Sequence, residues 1–178
     1  MFWTLLVIVI LIIIIIIIYN RLVMLNIRCK NGWAQIDNQL KRRNDLIPNL
    51  VEVTKGYAKH ESETLEKIVA SRQINSSDIN EIASSSQAIS TGLNKLLLLA
   101  EAYPDLKANE VFMNLQIELT GTEDKIAYAR QFYNDAVQLY NTAIEQFPSN
   151  IIAKIVKFKP REYFQINENE KQNVEVKL

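Results

Sequence analysis

Residues Phe2 to Tyr19 read FWTLLVIVILIIIIIIIY, an apolar run in which Thr4 is the one clearly polar side chain. At about 1.5 Å of rise per residue, a helix over this run covers roughly 27 Å, close to the hydrocarbon thickness of a bilayer. The isoleucine repeat from Ile12 to Ile18 would favour a strand in water. In lipid a lone strand leaves its peptide groups unpaired at several kcal/mol each, whereas a helix satisfies them internally. The run therefore reads as a membrane-spanning helix. Phe2 and Trp3 stand at its start and Tyr19 at its end, where aromatic rings favour the headgroup layer, and Arg21 snorkels just beyond.

The flanks separate an anchor from a cleaved signal. No Lys or Arg precedes the run, and Asn20-Arg21-Leu22 offers no small-residue cleavage pattern. After the run come Arg21, Arg28, Lys30, Lys41, Arg42 and Arg43. The positive-inside rule then places the rest of the chain in the cytoplasm, anchored once in the membrane.

Working outward, no strong breaker follows Tyr19 until Pro48, so the membrane helix is expected to continue into the first soluble helix. From Trp33 apolar positions recur in steps of three and four through Ile36, Leu40, Ile47, Leu50, Thr54 and Tyr57, with Leu65 and Ile68 further on. Pro48 predicts a kink or short break in that helix. Asn75 to Ser86 is rich in caps, with Ser77 or Asp78 as N-cap, and opens a second helix whose stripe is Ile82, Ser86, Ile89, Leu93, Leu96, Ala100 and Tyr103. Pro104 ends it. A third stripe runs from Phe112 through Leu119, Ile126, Tyr133 and Tyr140 to Phe147, with Gly121 as a weak point where Thr120 to Glu123 allows a capping-box restart. Pro148 closes it, and Ser149 is expected to cap a short amphipathic piece from Ile151 to Phe158. Residues Lys154 to Lys159 suit an anionic surface, but the piece is short, and capping of the bundle is the preferred reading.

These patterns give an all-α chain, an N-terminal transmembrane helix followed by an elongated antiparallel bundle of three or four up-and-down helices. The domains divide as 1–25 anchor, 26–160 bundle and 161–178 polar tail. The Phe112–Phe147 helix alone would span roughly 54 Å, the length of a rod.

Composition narrows the function. The 178 residues carry 20 Lys plus Arg against 20 Asp plus Glu, so no global charge attracts nucleic acid. His60, expected on an exposed turn, is the single histidine, which rules out multi-histidine metal sites and the paired Glu-x-x-His motifs of di-iron bundles. No glycine-rich phosphate loop is present. The single cysteine, Cys29, excludes an internal disulfide; Arg28 and Lys30 beside it would lower its pKa, and an intermolecular disulfide is the lesser reading. Carboxylates including Asp37, Asp45, Glu52, Glu61, Glu118, Glu123 and Asp135 are scattered at spacings suited to ion pairs along or between helices.

The candidate interaction residues are Lys41, Arg42, Arg43 and Asp45, which interrupt the first stripe, and Tyr128 and Phe132, which lie off the third seam. The basic cluster reads first as a helix face paired with carboxylates of a neighbouring helix. Its functional reading is a contact with another subunit or partner, since guanidinium holds a carboxylate with two bonds. Headgroup binding is disfavoured, because on a continuous helix Arg42 stands about 30 Å beyond Tyr19, outside the reach of surface charge at physiological salt.

Four stretches together resemble the LemA family of bacterial membrane proteins. They are GWAQID at Gly32–Asp37, continuing through QLKRRNDLIPNLVEVTKGYAKHE to Glu61; AEAYPDLKANEVF at Ala100–Phe112; ELTGTEDKIAYARQFYNDAV at Glu118–Val137; and FPSNIIA at Phe147–Ala153, with FKPREYF at Phe158–Phe164. The family pattern often has a basic and apolar stretch around Gly-Phe where this chain has Lys154-Ile155-Val156-Lys157-Phe158. The resemblance implies a single-pass anchor and an up-and-down helical bundle. It implies no established reaction. One relative looks to be a magnetosome membrane protein, and family members often occur beside membrane-bound metalloproteases, which points by analogy to membrane organisation. The expected function is thus a non-catalytic, membrane-anchored scaffold that self-associates, organises partner membrane proteins or shapes membrane. The alternative is a non-enzymatic adaptor or regulator of a membrane protease or other membrane protein. Expected partners are the lipid bilayer, further copies in a homo-oligomer and membrane proteins such as metalloproteases, with no nucleic acid, no small-molecule substrate and no cofactor.

Overall fold

The computed structural model describes residues 1–58 and 78–165, and among them helix is the regular structure throughout. The order is α1 (Phe2–Tyr57), α2 (Ile79–Glu101), α3 (Pro104–Lys107), α4 (Glu110–Glu145) and α5 (Ser149–Val156). His60, Glu61, Leu65, Ile68 and Ser77 lie outside the described residues.

Helix α1 is a single element of 56 residues that carries both the apolar run and the first soluble stripe. Pro48 lies inside it without ending it, so of the expected kink or short break the helix shows no break. The proline removes one backbone hydrogen bond. Buried Ile47, Leu50 and Val51 supply apolar packing on either side of it. In the apolar window of α1 no residue is buried, so the run is an exposed apolar surface, long enough to cross a membrane, rather than the inside of a soluble core.

The chain forms two compact units. The first comprises Met1–Ile36 and Ala129–Tyr163, the second Asp37–Tyr128 and Phe164–Leu178. In the first, α1 and α4 run antiparallel: Trp33 packs edge-on against Tyr133, with ring centroids 5.6 Å apart. Burial on α1 begins at Leu22 and continues at Cys29 and Ile36; Tyr133, Ala136 and Tyr140 answer from α4. Gly32 sits at a close approach of the two helices, since a Cβ there would lie 3.1 Å from the Tyr133 Cα.

In the second unit α1, α2 and α4 enclose a core of Ile47, Leu50, Ile89, Leu93, Leu96, Leu106, Phe112 and Leu119. Asp78 is the N-cap of α2, its carboxylate accepting from the Asn80 N–H at 2.8 Å. Asn109 caps α4 by accepting from the Phe112 N–H at 3.0 Å, and its amide donates to the Tyr57 hydroxyl at 3.1 Å. The expected restart at Gly121 does not occur, because α4 continues through it. The Thr122 hydroxyl instead donates back to the Glu118 carbonyl at 2.7 Å, inside the helix.

Of the expected polar tail, 161–178, residues 161–165 are described and the rest lie outside the described residues. Lys159 to Tyr163 is an extended strap lying on the first unit, and Phe164 is buried within the second. Ser149 also acts differently: its hydroxyl donates to the Ala143 carbonyl at 2.6 Å, closing the end of α4 instead of capping α5.

Two glycines in helices give opposite expectations. Gly32→Ala forces the α1–α4 backbones apart and should lower stability by about 1–3 kcal/mol. At Gly121 a Cβ meets open space. Gly121→Ala should therefore raise stability by about 0.5–1 kcal/mol, through helix propensity alone. Thermal denaturation of the two variants in the same detergent checks both signs.

Candidate functional site

The basic cluster on α1 divides once side chains are placed. Lys41, Arg42 and Asp45 are exposed, whereas Arg43 is 1% exposed and inside the second unit. Arg43 therefore does not offer a contact surface. The stripe explains this, because position 43 falls three residues after Leu40 and four before Ile47, on the inward face. Its Nη1 donates to Glu123 Oε1 at 3.2 Å, to Ser90 Oγ at 3.2 Å and to the Ser86 carbonyl at 3.3 Å. Its Nη2 donates to Ser86 Oγ at 3.1 Å. Ser90 Oγ in turn donates to Glu123 Oε2 at 2.7 Å. One guanidinium thereby ties α1 to both α2 and α4. Arg42 lies 3.8 Å from Glu118 with both side chains about half exposed, a surface pair worth little. A cleft of about 210 Å³ beside the network is lined by Ser90, Asn94, Glu123 and Asp124 together with leucines.

The aromatic candidates also differ. Tyr128 is 72% exposed and presents its ring to the surrounding medium. Phe132 is half-buried, and the Arg28 guanidinium lies 5.3 Å from its ring centroid, a cation–π contact within the first unit.

A second polar site was not legible in the sequence. The strap crosses α1 and α4 through Arg161, whose Nη2 and Nε donate to Asn26 Oδ1 at 2.8 and 3.0 Å. Asn141 makes a reciprocal pair with the Arg161 backbone: its Oδ1 accepts from the N–H and its Nδ2 donates to the carbonyl, each at 2.9 Å. Tyr133 and Tyr140 donate their hydroxyls to the carbonyls of Glu162 and Lys159 at 2.9 and 3.0 Å. The two tyrosines are spaced as ordinary seam residues. Their apolar bodies fill the core while their hydroxyls satisfy an extended backbone that no helix could pair. Burial raises the pKa of both phenols against the pull of Arg161.

Cys29 lies in the same region, fully buried. Burial pushes its thiol above the ordinary value, outweighing Arg161 and Arg28, which reverses the expectation of a lowered pKa. A buried, protonated thiol is neither a nucleophile nor an intermolecular disulfide partner. Among the described residues no group of three or more His, Cys, Asp or Glu side chains is placed to hold a metal ion.

Two measurements follow from these sites. Glu123→Ala strands a buried guanidinium and should cost about 3–5 kcal/mol. Arg43→Met combined with Glu123→Leu removes both charges and should recover most of that loss in denaturant melts. Cys29 should resist a maleimide in the folded protein for as long as the fold persists, then react stoichiometrically once denatured; mass spectrometry reads both states.

The LemA family model matches residues 32–178, which covers both units beyond the apolar run. Protein LemA of Metamycoplasma hominis is 28% identical over 162 residues, covering 88% of this chain and 73% of the relative. Magnetosome protein MamQ 2 of Paramagnetospirillum magneticum is 37% identical over 73 residues, 41% of this chain. MamQ of Magnetospirillum gryphiswaldense is 33% identical over 72 residues, 40% of this chain. The chain spans only 27% and 26% of the length of these two magnetosome relatives. A match running from the α1–α4 close approach at Gly32 through the Arg43–Glu123 network and the strap makes the chain a member of the LemA family.

Proposed function

We propose that this chain is a non-catalytic, membrane-anchored helical scaffold that self-associates and organises neighbouring membrane proteins or membrane shape. The observation that carries this reading is the unbroken passage of α1 from an unburied apolar run into the packed bundle. No linker separates anchor from domain, so the first unit is held at the bilayer surface. The flanking Arg and Lys residues favour the cytoplasmic side of the inner membrane for that domain. The polar groups buried in the bundle support a structural role: the Arg43 Nη atoms bond Glu123 and the serines, and Tyr133, Tyr140 and Asn141 are engaged by the strap. Contact with other molecules then falls to exposed Lys41, Arg42, Asp45 and Tyr128. Relatives named for the magnetosome support a place in membrane organisation.

Size analysis and negative-stain microscopy of the full chain in mild detergent test this reading. A regular homo-oligomer is the expected outcome, and Lys41→Glu with Arg42→Glu should shift it toward smaller species. A monomer whose size the charge reversal leaves unchanged would sink the self-association and move the reading to an adaptor for another membrane protein, including a metalloprotease.

A further inference from the structure

Helix α5 is only partly used by the bundle. Ile152 and Ala153 pack inward, but Phe147 is 81% and Ile155 75% exposed, with Ile151 and Val156 also open. Four exposed apolar side chains in ten residues are an unstable arrangement in water. Their surroundings decide the matter. Within the first unit, α5 lies alongside the second half of the apolar run, and the two bound a cleft of about 490 Å³. Its walls are Ile14, Ile18 and Tyr19 of α1 against Ile151, Ile155 and Val156 of α5, and its exposed lining is apolar.

The depth of this cleft follows from helix geometry. Its wall on α1 extends from Tyr19 back to Leu11, eight residues and therefore about 12 Å into the run. With Tyr19 at the headgroup layer, α5 sits at the depth of interfacial helices, about 5–10 Å into the headgroup and acyl boundary. The position is fixed on both sides. Phe158, just after α5, packs against Tyr19 at 6.5 Å and edge-on to Tyr140 at 6.3 Å, and the strap follows directly. Lys154, one turn after Ile151, and Lys157, at the C-cap, are exposed, and their stems are long enough to reach the headgroups.

We propose that α5 and Phe147 form a second membrane element, immersed in the leaflet that the bundle faces, with lipid acyl chains filling the cleft between α5 and the spanning helix. The occupant follows from position: one wall of the cleft is the spanning helix itself, so what fills it is drawn from the hydrocarbon around that helix. This inference rests on the anchor reading of α1 and is indifferent to which side of the membrane holds the domain. It overrides the expectation that this piece merely caps the bundle.

The test uses the full chain, carrying Cys29→Ala and a single new thiol labelled with an environment-sensitive fluorophore, in phosphatidylethanolamine and phosphatidylglycerol vesicles. Label sites are Ile155→Cys on α5, Ile12→Cys in the run and Tyr128→Cys in the domain. Quenchers are acyl-chain doxyl lipid, and iodide present on both sides of the bilayer. Doxyl lipid should remove most of the fluorescence at 155, as at 12, while iodide leaves both unchanged and quenches 128. Iodide quenching at 155 with doxyl quenching kept at 12 would overturn the proposal and leave the anchor standing. Protection of 155 from both quenchers would also overturn it, since protein rather than lipid would then cover α5. Loss of doxyl quenching at 12 would remove the anchor and the proposal together.

Discussion

Under the anchor reading, the chain depends on a constraint that lipid imposes: a segment in hydrocarbon must pair its own peptide groups. That requirement makes Phe2 to Tyr19 helical against the strand preference of its isoleucines. Because no breaker follows, it also determines what comes next. The helix leaves the apolar run already propagating, so the nucleation cost that makes isolated helices marginal is met before the first soluble residue. The stripe of α1 need only supply a packed face. This is also why Pro48 is tolerated: a lost hydrogen bond and a ring clash disrupt a marginal helix, but here buried Ile47, Leu50 and Val51 hold the segment in place.

Much of the fold was legible because burial follows period. The stripes through Leu40, Ile47 and Leu50, through Ile89, Leu93 and Leu96, and through Phe112, Leu119 and Tyr133 are the buried residues of α1, α2 and α4. Where the pattern misled, chemistry and periodicity disagreed. Arg43 looked like surface by charge and core by phase, and phase prevailed because Ser86, Ser90 and Glu123 stand opposite it. Their polarity was visible on the other two helices, so the network could have been read by asking what faces an inward arginine. Phe147 shows the reverse failure: it continues the α4 stripe but lies beyond the end of the helix, in the turn to α5, and is exposed.

The strap was not legible at all. Lys159 to Tyr163 has no periodicity, and its order comes from groups far away in sequence, the hydroxyls of Tyr133 and Tyr140 and the amides of Asn26 and Asn141. Extended backbone on a helical surface has no ladder to join, so each carbonyl must find a side chain. A local reading sees only charge and proline. Lys157 ends α5 in a left-handed backbone at φ 62°. A lysine there accepts a conformation that glycine adopts freely, and the turn it makes delivers Phe158 to Tyr19 and Tyr140.

The polar contacts in the two units address a weakness of long helical seams. Leucine and isoleucine faces lose little when one helix slides past another by a turn, about 5.4 Å, because the next apolar residue takes the vacated place. Arg43 removes that freedom in the second unit. Displaced by one turn, its guanidinium would be buried without Ser86, Ser90 and Glu123, at a cost of several kcal/mol that no apolar contact offsets. In the first unit Gly32 favours one register sterically, since a Cβ there would lie 3.1 Å from the Tyr133 Cα. A charged pairing and a close backbone approach thus do what the apolar stripes cannot. The stripes supply the driving force for association, and these two points choose a single alignment for it. That alignment fixes which residues of α1 and α4 face each other, and so where the strap and α5 meet the spanning helix within the first unit.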